Sequence, residues 1–181
     1  MADLKILGIC GALRAGSTNR LLMQDAVRRL GSVEFTEANI RFPLYDGDLE
    51  ESSGVPTEVQ MLADQIADAD AVIIACPEYN KGVPGVLKNA LDWVSRTKGS
   101  PWLDKPVAIM SATAGRSGGE RVQSMLQLCL MPFRPQLLIG PEVLVAASFK
   151  EFDDDGVLKN EINGKALDEL MERLSNLALA A

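Results

Sequence analysis

The segment 11–20 combines small residues with groups that bind anions. Ser17, Thr18 and Asn19 have short side chains that donate hydrogen bonds, and Arg14 adds a charged, forked donor. An apolar run precedes this segment and a helical pattern follows it, so free backbone N–H groups at the helix start strengthen an anion site. The pattern therefore predicts a site for a terminal phosphate. Ser17 or Thr18 as an ordinary helix cap is compatible with the same geometry.

Familiar nucleotide fingerprints do not fit this segment. The chain has no G-x-x-x-x-G-K-[S/T] motif, which disfavours an ATP-type phosphate loop. The run Gly8-Ile9-Cys10-Gly11 does not supply the G-x-G-x-x-G of a dinucleotide-binding fold. A mononucleotide phosphate is the better interpretation.

The composition excludes most side-chain catalysis. The 181 residues include no histidine, which removes the usual catalytic triads, the commonest metal ligand and the usual base near neutral pH. Cys10, Cys76 and Cys129 form no CxxC pair or metal-ligand spacing, and their apolar neighbours indicate buried, reduced thiols. If the protein is an enzyme, we expect a bound cofactor, and no metal, to supply its chemistry.

Charge and hydropathy limit the possible binding partners and the expected cellular location of the protein. A net charge of −7 would repel nucleic acid. No apolar run approaches the roughly 18 residues of a membrane span, and the first residues do not resemble a signal peptide. We therefore expect a cytoplasmic protein with neither a nucleic-acid nor a membrane partner.

Hydrophobic periodicity predicts five strands that alternate with helices. The strands are expected at 4–10, 33–38, 71–76, 107–112 and 137–145, the last interrupted at Gly140-Pro141. Helices are expected at 19–30, from a capping box at Thr57 to Ala69, from Pro84 to Val94, after a second capping box at Ser117, and around 167–177. The stretch 43–56 is expected to be an exposed loop.

This alternation predicts one α/β domain over residues 1–181. We expect a flavodoxin-like, doubly wound, five-stranded parallel sheet in the order 2-1-3-4-5, with helices on both faces. Ligands of such sheets bind at the carboxyl ends of the strands, near the switch point between the first and third strands. The loops after strands one, three and four should therefore form the site.

Three motifs in these loops resemble the NADPH-dependent FMN reductase family, which includes bacterial quinone, chromate and azo-dye reductases. They are Gly11-Ala12-Leu13-Arg14 through Ser17 and Asn19, then Pro77-Glu78-Tyr79-Asn80, then Gly118-Gly119-x-Arg121. The match spans roughly the first 145 residues, in the right order and on the right elements. Together the three motifs are specific, although each alone is weak.

The resemblance implies a set of cofactor-binding residues. The family's FMN-phosphate loop corresponds to Arg14, Ser17, Thr18 and Asn19. The loop along the flavin ring corresponds to Pro77, Glu78, Tyr79, Asn80 and Gly82, and the Glu78 side chain is expected to point away from the ring. The third flavin-side loop corresponds to Ser111, Ala114, Gly115 and Gly118.

The resemblance also implies an activity. We expect an FMN-dependent oxidoreductase that takes a hydride from NADPH or NADH and passes electrons, by a ping-pong scheme, to a small acceptor. Quinones are the expected acceptor class, with azo compounds, chromate or free flavin as further possibilities. No side chain acts as a catalytic group in this scheme, and a homodimer or homotetramer is expected.

Two alternatives stay open at this point. One is a flavodoxin-type electron carrier, which binds FMN without nicotinamide turnover. The other is a flavin-free binding or regulatory domain on the same fold.

Overall fold

A parallel sheet forms the centre of the computed structural model, which describes residues 4–181. Its strands are β1 (Leu4–Cys10), β2 (Val33–Glu37), β3 (Ala71–Ala75), β4 (Pro106–Ala112), β5 (Gln136–Leu138) and β6 (Leu144–Val145). They lie in the order β2-β1-β3-β4-β5, and β6 pairs with β4. The predicted order 2-1-3-4-5 and its parallel pairing are confirmed.

The predicted fifth strand consists of two short strands. β5 pairs with the first residues of β4, from Pro106 to Ala108. β6 pairs with the end of β4, at Ser111 and Ala112. The break contains Gly140-Pro141, as expected from residues that cannot both continue a ladder. The two short strands thus pair with different parts of the same edge of β4.

Helices pack on both faces of the sheet. They are α1 (Thr18–Leu30), α2 (Gly47–Ser53), α3 (Thr57–Asp68), α4 (Gly85–Val94), α5 (Glu120–Leu130) and α6 (Glu161–Ala180). One core contains apolar residues of α1 and α6, and the other contains those of α3, α4 and α5. No helix in the described residues is long and apolar enough to cross a membrane.

Alternation along the strands explains the two cores. In β3, Val72 and Ile74 face the core under α3–α5, whereas Ala71, Ile73 and Ala75 face the core under α1 and α6. Because both faces are covered, every residue of β3 is buried and apolar. The predicted buried strand is confirmed.

Helix α2 corrects the prediction of a loop over 43–56. Asp46 caps its start by accepting a hydrogen bond from the amide of Asp48, and Gly54 ends it with a positive φ. None of its residues is buried, so no apolar stripe marks it in the sequence. An ion pair between Glu50 and Arg96 attaches it to the end of α4.

Both predicted capping boxes are wrong. Pro56 is the cap residue of α3, so Thr57 is already inside the helix and forms no cap hydrogen bond. At α5 the cap residue is Gly119, in the left-handed region, and it has no side chain that could cap the helix. In both places the backbone conformation before the helix moves its start by one or more residues.

A buried carboxylate joins the first and last helices. Asp25 of α1 accepts hydrogen bonds from Arg28, Arg29 and the amide of Leu158. Arg29 in turn binds Asp168 of α6 at 2.6 Å. The pair with Arg29 compensates the cost of burying the Asp25 charge, and Arg29 fixes α6 beside α1 on the same face of the sheet.

We expect Asp25→Asn to lower the free energy of unfolding by about 3 kcal/mol, because it leaves the guanidinium of Arg29 without its buried partner. Urea denaturation followed by circular dichroism measures this loss. Asp168→Asn is the matched control. It removes a second carboxylate partner of the same guanidinium, but the Asp168 side chain is 61% exposed. The control should cost less than about 1 kcal/mol, and equal losses would contradict the assignment.

Candidate active site

Three loops meet at the carboxyl edge of the sheet, which we call the loop edge. They are the first loop (11–17, after β1), the second loop (77–82, after β3) and the third loop (113–119, after β4). The first two loops are in close contact. A Cβ added to Gly11 would lie 3.2 Å from the Pro77 ring. All thirteen residues predicted to bind the cofactor lie in these loops or directly beside them.

Asn19 fixes the first loop against β4. Its side-chain Nδ2 donates to the carbonyl of Ala112 at 2.7 Å, and its Oδ1 accepts from the amide of Ala112 at 3.0 Å. Asn19 is only 2% exposed, and its side chain holds the first loop in position inside the protein. The predicted contact of Asn19 with the phosphate stays a prediction.

The neighbouring hydroxyls are also used within the protein. Ser17 is buried and caps α1 by accepting a hydrogen bond from the amide of Asn19. The Thr18 hydroxyl bonds to Ser148 at 2.9 Å. The interpretation of Ser17 as a helix cap is therefore confirmed. Arg14 is exposed at the tip of the loop, where its guanidinium can reach a ligand.

The backbone of the first loop presents donors without acceptors. Among residues 4–181, no protein acceptor receives the amides of Leu13, Arg14, Ala15 or Gly16. The carbonyls of Leu13, Arg14 and Ala15 instead receive guanidinium N–H groups from Arg41 and Arg20. A loop with satisfied carbonyls, free amides and a helix N-terminus suits an anion.

A tight turn shapes the second loop. Tyr79 and Gly82 exchange two backbone hydrogen bonds, at 3.1 and 3.0 Å, around Asn80 and Lys81. Both central residues have positive φ, 50° and 66°, as in a type I′ turn. Positive φ is uncommon for lysine, and strained backbone of this kind concentrates at functional sites. The Tyr79 ring is 53% exposed at the loop edge.

The carboxylate of Glu78 is turned to the start of α5. It accepts a hydrogen bond from the amide of Val122 at 3.3 Å and lies 3.9 Å from the guanidinium of Arg121. The positive end of the α5 dipole and Arg121 both stabilise its charge. Glu78 thereby occupies the N-terminus of α5, whereas the first loop keeps its own amides free.

The third loop is shaped by buried contacts that require glycine. A Cβ on Gly118 would lie 2.5 Å from the Leu144 carbonyl carbon, and one on Gly119 would lie 2.6 Å from Ser111 Oγ. Both glycines have positive φ. The Ser111 hydroxyl donates to the carbonyl of Gly118 at 2.6 Å and accepts from Gln123 at 3.0 Å. Ser111 and Gly118 therefore build the loop.

Ala114 and Gly115 are the exposed residues of the third loop among those predicted to bind the cofactor. They lie between the buried end of β4 and the glycine pair. Their backbone and small side chains leave room at the loop edge for a flat ligand.

Two basic residues of the segment after α4 lie away from the loop edge. Arg96 and Lys98 follow the end of α4, and a crossover helix runs antiparallel to the strands that it joins. They therefore lie toward the opposite edge of the sheet, and Arg96 is paired with Glu50. Arg14, Lys81 and Arg116 are the exposed cations that do lie in the site loops.

Sequence reasoning missed four residues that shape the loop edge. Arg20 and Arg41 hold the first loop, Gln123 binds Ser111 and the carbonyl of Val143, and Ser148 binds Thr18. Their partners are 12 to 130 residues distant, except for Arg20. No local pattern marks such contacts, because they arise only when the elements are packed.

The order of the strands and the position of the loop edge define a class of protein. A parallel sheet in the order 2-1-3-4-5 with helices on both faces is the flavodoxin-like fold. The NAD(P)H:(acceptor) oxidoreductase of Paracoccus denitrificans, a flavoenzyme, has this fold with a TM-score of 0.87, 28% identity and 98% coverage of each chain.

The chain belongs to the NADPH-dependent FMN reductase family, whose model matches residues 4–150. It is 38% identical to an NAD(P)H-dependent FMN reductase of Pseudomonas aeruginosa over 98% of this chain and 95% of the relative. It is 34% identical to the quinone reductase of Escherichia coli over 92% of this chain and 86% of the relative. The protein is thus an oxidoreductase with FMN and NAD(P)H as its cofactors.

Two cysteines lie directly below the loop edge without taking part in it. Cys10 ends β1 and Cys76 follows β3, and both are buried. Burial raises the pKa of both thiols above the ordinary value. Because the thiolate is the reactive form, we expect neither to act as a nucleophile or redox group.

We expect Cys10 and Cys76 to stay unmodified when the folded protein is treated with iodoacetamide at about pH 8. In urea, where both thiols regain ordinary pKa values, they should react within the same time. Mass spectrometry of tryptic peptides measures both states. Rapid labelling of either residue in the folded protein would contradict the assignment.

Proposed function

We propose that the loop edge binds FMN, with the phosphate in the first loop and the flavin ring along the second and third loops, and that the enzyme reduces quinones. The observation that carries the proposal is the row of free amides in the first loop, with its carbonyls satisfied on the other side. This arrangement suits an anion at the start of α1. FMN supplies one at the end of a flexible chain.

Each loop has a separate task in this proposal. The amides of residues 13–16 and the Arg14 guanidinium bind the phosphate. The exposed Tyr79 ring and the backbone at Gly82 lie along the flavin, and Asn80 reaches its polar edge. Glu78 keeps its charge at the α5 terminus, so it does not oppose negative charge on the ring.

FMN, when bound, accepts a hydride from the nicotinamide and passes electrons to the acceptor. The chain's own contribution is to position the ring and to leave one face accessible. The proposed scheme requires no imidazole to move a proton, which agrees with the absence of histidine from the sequence.

The names of the relatives and the open loop edge support quinones as acceptors. Relatives include the quinone reductase of Escherichia coli and an NAD(P)H:quinone oxidoreductase of Solanum tuberosum. Tyr79, Ala114 and Gly115 are exposed, so a flat aromatic acceptor can approach the ring. An open site of this kind discriminates weakly, and azo compounds, chromate and free flavin belong in the same assay.

Stopped-flow absorbance tests the proposed activity. We expect FMN-loaded protein to bleach within the first turnover when it is mixed anaerobically with NADPH or NADH. Addition of a benzoquinone should restore the flavin spectrum, and the rates of restoration rank the acceptors. Bound FMN that both nicotinamides leave oxidised would contradict the proposal and favour an electron carrier. A protein that does not bind FMN would favour a flavin-free domain.

We also propose that the enzyme is a homo-oligomer, at least a dimer, whose neighbour covers α5 beside the site. Met125, Leu128 and Met131 are large apolar residues that are exposed along this helix and its end. Leu128 also lines a groove of about 630 Å³ between the C-terminal halves of α4 and α5. An exposed apolar face of this kind is typical of an interface.

A second copy fits this face for two further reasons. Lys88 and Asp92 lie on the exposed side of α4, and a two-fold axis can place each opposite the other's charge. Met125 also lies against the second loop, where a Cβ on Gly82 would be 3.6 Å from its methyl carbon. A copy seated on α5 would therefore border the flavin site.

Light scattering coupled to size exclusion tests this proposal. The chain mass is 19.5 kDa, and we expect a particle of at least twice that mass. Leu128→Glu should shift the population toward monomer, because it places a charge on the apolar face. Ile162→Glu is the control, since Ile162 is 80% exposed on α6 at the other side of the sheet. A monomeric wild-type protein would overturn the proposal.

The proposed location is the cytoplasm. Cys10, Cys76 and Cys129 are all free thiols, as is usual for a protein in a reducing compartment.

A further inference from the structure

Arg20 makes three contacts from the first turn of α1. Its Nη1 donates to the carbonyl of Arg14 at 2.7 Å and to that of Ala15 at 3.0 Å. Its Nε donates to Glu37, the last residue of β2, at 2.6 Å. The bond with Glu37 raises the pKa of Arg20, so the guanidinium stays charged. Glu37 thus orients a fork that holds two loop carbonyls.

Arg41 reaches the same loop from the segment after β2. Its Nη2 donates to the carbonyl of Leu13 at 3.0 Å. Three successive carbonyls of the first loop, at Leu13, Arg14 and Ala15, therefore accept guanidinium N–H groups. Both donors depend on the carboxyl end of β2, which lies beside β1 in the sheet.

The planarity of the peptide bond gives these contacts a consequence. In a trans peptide unit, the C=O of one residue and the N–H of the next point in opposite directions. Holding the carbonyls of residues 13, 14 and 15 on one side therefore directs the amides of residues 14, 15 and 16 to the other side. Those amides are among the ones that find no acceptor in the described residues.

We propose that Arg20 and Arg41 are positioning residues for the phosphate: they hold the carbonyls of the first loop so that its amides face the ligand. The inference rests on the proposed function, since it takes the phosphate of FMN to be the anion in this loop. The charge of Arg20 is compensated by Glu37, so its task is geometric. A lysine at position 20 keeps the charge, but it lacks the planar fork that reaches two carbonyls and Glu37 together.

Binding of FMN and of riboflavin to the full-length, flavin-free chain tests the inference, because riboflavin lacks only the phosphate. Quenching of flavin fluorescence measures both affinities. We expect Arg20→Lys and Arg20→Gln alike to weaken FMN binding about tenfold or more, as for the loss of two hydrogen bonds that support the site. Riboflavin affinity should stay within about twofold, and Arg41→Lys should weaken FMN binding by a smaller factor.

Arg28→Lys is the matched control on the same helix. Its guanidinium also donates to two backbone carbonyls, those of Asp155 and Gly156, but at the far end of α1. It should leave the ratio of FMN to riboflavin affinity unchanged. Thermal denaturation of each flavin-free variant reports folding separately, and Arg41→Lys, on an exposed segment, carries the test if the Arg20 variants unfold.

Two outcomes would overturn the inference while leaving the proposed function intact. One is wild-type FMN affinity in Arg20→Lys with a loss only in Arg20→Gln, because charge would then matter and geometry would not. The other is an equal loss of FMN and riboflavin binding in both variants, which indicates a general effect on the fold. A wild-type protein that binds FMN no better than riboflavin would instead overturn the phosphate site itself, and the inference with it.

Discussion

The two hydrogen bonds between the Asn19 side chain and the backbone of Ala112 are the constraint on which the site depends. Ala112 is the last residue of β4, and Asn19 lies in the first turn of α1. If this contact were lost, a buried amide and a buried carbonyl would lack partners, at a cost of about 1–3 kcal/mol each. The contact therefore fixes the distance between the first loop, which precedes α1, and the third loop, which follows β4.

Much of the fold follows from local patterns in the sequence. Strand β3 is apolar throughout, and β1 and β4 are largely apolar apart from Lys5 and Ser111, because helices cover both faces of the sheet; such runs are visible without a structure. Helix α2 was not predictable in this way, since it buries nothing and is attached by Glu50 and Tyr45. The start of α5 was misplaced because Gly119 adopts a left-handed conformation that a capping pattern does not reveal.

The residues predicted to form the site lie together at the loop edge, whereas the hydrogen-bond partners of their polar side chains could not be predicted from the sequence. Sequence motifs indicated the three loops, but they could not show which partner each polar side chain uses. Asn19, Ser17 and Ser111 satisfy their hydrogen bonds inside the protein, and the free donors of the first loop belong to its backbone. The Arg20 and Arg41 contacts depend on where β2 places its carboxyl end, which only the assembled sheet determines.

An acidic chain that binds a phosphate must concentrate positive potential locally. The net charge is −7, and the guanidinium of Arg20 is compensated by Glu37, so the positive potential of the first loop comes from Arg14 and from the loop backbone. The fixed dipoles of loop amides and the start of α1 act at short range and lose less to salt. Glu78 occupies the corresponding amide at the start of α5, which makes that terminus a poor second site for an anion. In the proposed binding mode the phosphate therefore lies at the first loop, and the ring attached to it extends toward the second and third loops.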